Sequence, residues 1–140
     1  MRTITVKEAM TRDFPTVSNT MRIDKLLSEF RKTGHHGFPV VDKEGRLIGI
    51  VTQTDVEHHL GTGAGGGQLT VGDVATKSPF VAYPEQTLDK VLGATEEEYG
   101  RIPIVSRDDT RQLLGVLRRH DIIRAYRRKA KRRSPTPARH

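Results

Sequence analysis

The sequence predicts a mixed α/β (α+β) fold in which two βαββα repeats pack as a pseudo-two-fold pair through their sheets. Three observations predict it. Residues 5–28 (TVKEAMTRDFPTVSNTMRIDKLLS) return as residues 70–93 (TVGDVATKSPFVAYPEQTLDKVLG), with Thr5/Thr70, Val6/Val71, Thr11/Thr76, Asp24/Asp89, Lys25/Lys90 and Leu27/Leu92 identical. Each copy then passes from a helical pattern into two apolar runs split by a polar turn. A unit of about 60 residues with one apolar sheet face buries too little surface alone, so two such units must cover each other.

The elements follow in chain order. Val6–Met10 is a short polar-apolar segment and Phe14–Val17 an extended one. Ile23, Leu26, Leu27 and Phe30 recur at i, i+3, i+4 and i+7, one face of a helix that Thr33-Gly34 ends, since glycine supplies the left-handed cap. Phe38–Val41 and Leu47–Val51, joined by the turn Asp42–Gly45, read as a β-hairpin, and Thr54–Leu60 as a closing helix. Copy two repeats the order: Val71–Ala75, extended Phe80–Ala82, helix Leu88–Tyr99, strand Ile102–Val105, polar turn, strand Leu113–Leu117, helix Asp121–Lys131. The domains are placed at 1–60 and 70–127, with a glycine-rich linker at 61–69 and a basic, disordered tail at 128–140. Residues 61–66 match G-x-G-x-x-G, but they follow a helical pattern and lead into polar residues. A dinucleotide fingerprint follows a strand and opens a helix, so this match is set aside.

Composition narrows the function. The 140 residues contain no cysteine, which excludes disulfides and thiolate chemistry and points to a reducing, cytoplasmic setting. No apolar run approaches the roughly 18 residues that span a membrane, and the N-terminus does not read as a signal peptide. The net charge of +7 is concentrated at one end: residues 118–140 carry ten Arg/Lys and one acid, Asp121. The body is nearly neutral.

The strongest local signal is Gly49-Ile-Val-Thr-Gln-Thr-Asp55, a strand end running into a helix start. Thr52 and Asp55 lie three apart at that junction. One reading is ribose recognition: a carboxylate offers two acceptor oxygens to vicinal hydroxyls, a threonine adds a contact, and nearby helix amides favour phosphate. The other is a capping box, in which Thr52 caps the helix and Asp55 closes the loop. Copy two, Gly115-Val-Leu-Arg-Arg-His-Asp121, keeps the glycine and aspartate but has Arg118 where Thr52 stands. Arginine does not cap a helix start, so the carboxylate survives there for another reason.

With its paired V-x-[DE]-[AV]-[MA] segments, its h-P-h-V strands (Phe38-Pro-Val-Val, Ile102-Pro-Ile-Val) and its closing G-h-h-x-x-x-D, the chain resembles a tandem pair of CBS domains, a Bateman module, over about residues 4–127. Copy two is particularly similar to the cytosolic CBS pairs of prokaryotic chloride-channel-type proteins. The resemblance implies a regulatory module without catalysis, binding AMP, ADP, ATP or S-adenosylmethionine as a regulatory ligand, with no obligatory cofactor. It implies a first site of Thr16, Val17, Phe38, Pro39, Thr52 and Asp55, and a second of Val81, Ala82, Ile102, Pro103, Arg118 and Asp121. Arg118, Arg119 and His120 are phosphate candidates. Only the first site carries the full threonine–aspartate pair. The resemblance also implies a homodimer and an effector partner, a membrane transporter or channel among the options.

The alternatives are weaker. His35-His36 and His58-His59 are adjacent pairs without metal-ligand spacing, so no metal site is expected. No serine sits in a nucleophile context, so the chain does not read as an enzyme. Arg124–Arg133 holds seven positive charges in ten residues, which suits nucleic-acid phosphates, an anionic lipid surface or a solvated helix end. Nucleic-acid binding there, and a ligand-free dimerisation module, stand as second readings.

Overall fold

The computed structural model describes residues 3–61, 68–94 and 101–133. The elements are α1 (Val6–Ala9), β1 (Val17–Ser18), α2 (Ile23–Thr33), β2 (Gly37–Val41), β3 (Leu47–Thr52) and α3 (Gln53–Gly61) in copy one. Copy two supplies α4 (Val71–Val74), β4 (Thr76–Lys77), α5 (Leu88–Ala94), β5 (Arg101–Val105), β6 (Leu113–Arg118) and α6 (Arg119–Arg133).

Local chemistry sets the boundaries. Thr5 N–H and Oγ1 both donate to Glu8 Oε1 at the start of α1, and Thr70 N–H and Oγ1 both donate to Asp73 Oδ2 at the start of α4. Helix α2 buries Ile23, Leu26 and Phe30, the face its spacing predicts. It ends at Gly34, whose φ of 75° is left-handed and whose N–H donates to the Phe30 carbonyl. The turn Asp42–Gly45 closes the β2–β3 hairpin, with Gly45 at φ +80° and Asp42 Oδ1 accepting from Glu44 N–H and Arg46 N–H.

The two sheets have the same plan. One runs β1-β2-β3-β4, with β1 parallel to β2 and the rest antiparallel. The other is the hairpin β5-β6, flanked by a parallel bridge Ala82–Ile104 and an antiparallel bridge Thr11–Val116. Each hairpin shifts register once at equivalent places, Val40/Val41 and Ile104/Val105. The strand expected at Phe80–Ala82 is thus reduced to one bridge at Ala82; Pro79 and Pro84 flank it, and proline cannot donate to a ladder.

The outer lane of each sheet comes from the other copy. Thr76–Lys77 pair with Gly49–Ile50 of β3, and Thr11 pairs with Val116 of β6. The exchange repeats throughout. Val6 N–H donates to the Gln86 carbonyl and Val71 N–H to Met21; Leu88 N–H donates to Ile4 and Ile23 N–H to Leu69. Helix α1 packs on α6, and α4 packs on α3. Two cores result. One joins Phe14, Leu26, Phe30, Phe38 and Val51 to Val71, Val74 and Val116 of copy two. The other joins Ile4, Val6 and Ala9 of copy one to Leu88, Ile104, Leu117 and Ile122. Strands β2 and β5 meet between them.

Three sequence boundaries shift or fall elsewhere. Helix α6 spans Arg119–Arg133, covering the expected helix Asp121–Lys131 and running on through 128–133 of the expected tail; Ala130 and the arginines and lysines around it are good helix formers, and cations suit a helix C-terminus. Residues 95–99 of the expected Leu88–Tyr99 helix, 62–67 of the linker and 134–140 of the tail lie outside the described residues. No helix among the described residues is long and apolar enough to cross a membrane.

Candidate functional site

Strand β3 ends at Thr52 and α3 begins at once, so the carboxylate one turn into the helix folds back onto the strand end. Asp55 Oδ2 accepts from Thr52 N–H at 2.9 Å and from Thr52 Oγ1 at 3.1 Å, and Asp55 N–H donates to Thr52 Oγ1 at 3.2 Å. This is the capping box. The other oxygen, Oδ1, accepts among the described residues a single 3.3 Å bond, from Thr76 Oγ1 on the segment arriving from copy two. Asp55 is half-buried. Its capping duty occupies one oxygen and leaves the second thinly held.

The equivalent junction in copy two is loaded differently. Asp121 is completely buried. Its Oδ1 accepts from Thr11 Oγ1 at 2.7 Å, Arg124 Nη2 at 2.8 Å and Arg118 Nη2 at 3.2 Å. Its Oδ2 accepts from Arg118 N–H at 2.9 Å and Arg118 Nε at 3.2 Å. A carboxylate has about four lone-pair sites, so this one has no capacity left for a sugar. Arg118 spends its fork on Asp121 and Thr11, and its guanidinium lies 5.1 Å over the Phe14 ring. Arginine in place of threonine keeps the backbone bond of the box and commits the carboxylate to a charge pair.

A third group lies where the copies face each other. Gly37 pairs with Thr52 across the β2–β3 hairpin, and Arg101 pairs with Arg118 across the β5–β6 hairpin. A side chain at Gly37 would meet Arg101 Cδ at 3.2 Å and Thr52 Cγ2 at 3.1 Å. Glycine here therefore admits Arg101 beside the first junction. Arg101 Nε is buried with no hydrogen-bond partner among the described residues. Burial, then the charge of Arg118, holds the Arg101 guanidinium below its ordinary range. His35 packs on Phe14 with ring centroids 4.6 Å apart and planes tilted by 45°, and meets Phe38 edge-on. Burial first, then Arg118, Arg101 and His36, lowers its pKa. Arg101 and Arg118 thus make one electropositive place that keeps the neighbouring His35 uncharged. Arg101 carries no motif of its own. The signal available in the sequence was the repeat itself, which sets a bulky cation in copy two at the position of a glycine in copy one.

The remaining candidates are scattered. Val17 and Phe38 are buried in the first core and Pro39 is buried in β2, while Thr16 stands exposed at the sheet edge. Ala82 and Ile102 belong to the second core, and Pro103 is buried in β5. Val81 lines a cavity of about 390 Å³ with Leu47, Ile48, Lys77, Ser78 and Pro79, on the β3–β4 edge of the first sheet. Thr110 and Arg111 of the β5–β6 turn complete its lining, so Val81 sits where the two copies meet. Arg119 and His120 are exposed on the first turn of α6. His36 Nδ1 lies 3.3 Å from Gln53 Oε1, and the His58 and His59 rings sit edge to face. Among the described residues no group of three His, Cys, Asp or Glu could hold a metal ion.

A family model for the CBS domain matches the chain twice, over residues 6–61 and 71–128. The chain is 24% identical over 122 residues to the L-aspartate semialdehyde sulfurtransferase of Methanocaldococcus jannaschii, covering 86% of this chain and 23% of that protein. It is 27% identical over 154 residues to the chloroplastic CBS domain-containing protein CBSX1 of Arabidopsis thaliana, covering 86% and 63%. It thus spans less than two thirds of the length of either relative. The crystal structure of CBSX2 in complex with AMP is similar at a TM-score of 0.78 and 26% identity, covering 91% of this chain and 99% of that one.

Proposed function

This chain belongs to the CBS-domain family, and from that premise we propose that it is a regulatory module that binds an adenine nucleotide of the AMP kind and controls a partner protein, without catalysis of its own. The observation that carries the reading is the buried Arg101 Nε, without a hydrogen-bond partner among the described residues, on a side chain that meets Thr52 Cγ2 over Gly37. A buried donor without an acceptor costs free energy, about 1–3 kcal/mol, and an arriving phosphate oxygen removes that cost.

The first junction takes the nucleotide. The ribose hydroxyls bind Asp55, displacing the long bond from Thr76, and Thr52 holds the carboxylate in place. The phosphate faces Arg101, with Arg118 adding positive potential and His35 a neutral neighbour. The base lies along β4, whose Thr76 touches Asp55. At the second junction Arg118 occupies the ligand's place, so the two sites are not equivalent. Arg119 and His120 drop out as phosphate contacts in this reading, because they face solvent while Arg118 turns inward. AMP binding by the related CBSX2 supports the ligand class. ADP, ATP and S-adenosylmethionine remain the comparison ligands, and a homodimer in the cytoplasm is the expected state.

Calorimetry with AMP and adenosine tests the assignment. Arg101→Ala is expected to weaken AMP at least tenfold, about 1.4 kcal/mol, and to leave adenosine unchanged. No binding of either at millimolar concentration, or an equal loss for both, would overturn it.

A further inference from the structure

We propose that the exposed face of α6 is a docking surface for the phosphate backbone of double-stranded nucleic acid, separate from the nucleotide cleft. Helix α6 presents Arg119, Arg124, Arg127, Arg128, Lys129 and Lys131, and its sequence continues with Arg132 and Arg133. Its one acid, Asp121, is buried and already holds two arginines. The apolar residues Ile122 and Ala125 turn into the second core, which leaves Arg119, Arg124, Arg127, Arg128 and Lys131 exposed. The fold does not demand this charge. Helix α3 holds the equivalent place in copy one and contains Asp55 and Glu57 but no lysine or arginine.

Nor does the helix itself call for it. The dipole rewards cations within the last turn only, whereas Arg119, Arg124 and Arg127 lie earlier. Arg124 with Arg128, and Arg127 with Lys131, are like charges at i,i+4, which destabilise a helix. A polyanion would reverse that sign. A helix of 15 residues is about 22 Å long, so its eight cations follow one another at about 3 Å. Each strand of duplex nucleic acid offers one negative charge per roughly 3.4 Å, a matching spacing. A lipid surface fits less well. A helix lying in a bilayer interface needs a continuous apolar face, and the outward face offers only Ile123, Tyr126 and Ala130 among the cations.

The test is fluorescence anisotropy of a labelled DNA duplex of roughly 20 base pairs with the full chain, from about 50 to about 200 mM salt. Binding is expected with a log–log salt slope of about −4 or steeper, and Arg127→Ala should flatten it by about 0.9. The double variant R127E/K131E should lose at least tenfold in affinity while keeping wild-type AMP binding and thermal melting; R127Q/K131Q should fall between. Four results would overturn the proposal: no binding at the lowest salt, salt-independent binding, an unchanged double variant, or tighter binding at equal ionic strength to phosphatidylserine vesicles or polyglutamate.

Discussion

Thr52 ends β3 and Arg118 ends β6, and the two side chains give their aspartates different work. Thr52 caps α3 and leaves Asp55 Oδ1 accessible; Arg118 and Arg124 neutralise a buried Asp121. Removing one member of a buried pair strands the other, so Asp121→Ala is expected to cost about 3 kcal/mol in chemical denaturation. Asp55→Ala should cost about 1 kcal/mol, the usual loss of a helix cap. His35 sets a pH dependence. Its folded pKa lies below the unfolded value of about 6.5, so below that pH the unfolded chain takes up the proton that the folded chain refuses. Stability is full above that value and falls as the pH drops through it. Melting temperatures at neutral and mildly acidic pH should therefore converge between wild type and His35→Gln if wild type starts higher, with wild type losing more on acidification. The pair Thr52/Asp55 was legible because a motif spacing marks it. Arg101 was not, because its meaning comes from Gly37 on a different strand.

At the level of elements, the glycines shared by the copies, Gly49 and Gly115, mark where the copies cross. A Cβ at Gly49 would collide with the Thr76 carbonyl oxygen, and one at Gly115 would lie 2.8 Å from that of Thr11. Both are close approaches of backbone to backbone. Gly49→Ala must push β4 off the sheet, at a cost of about 1–3 kcal/mol, and should also weaken AMP because β4 carries Thr76, which touches Asp55. Urea denaturation beside an AMP titration checks both effects. Helix α2 and the hairpins were legible from the spacing of Leu26 and Phe30 and from the turn at Gly45. The two-residue strand β4 was not. Thr76-Lys77 has no strand pattern of its own and pairs only because the chain crosses to the other sheet.

For the whole molecule, the sequence repeat and the folded unit are out of phase. Val6 and Ala9 complete the core of copy two, and Val71 and Val74 complete that of copy one. Residues 1–68 and 69–140 made as separate chains should each lack cooperative thermal melting, and mixing them should restore it. The duplication made a paired architecture legible at once, but identical segments give the same reading whether they dock on their own copy or on the other. The central claim is that one nucleotide binds per chain, at Thr52, Asp55 and Arg101. Calorimetric titration of AMP into wild type, Asp55→Ala and Asp121→Asn tests it most directly. The account predicts one site per chain, lost in Asp55→Ala and kept in Asp121→Asn. Two equal sites, or undiminished binding by Asp55→Ala, would contradict it.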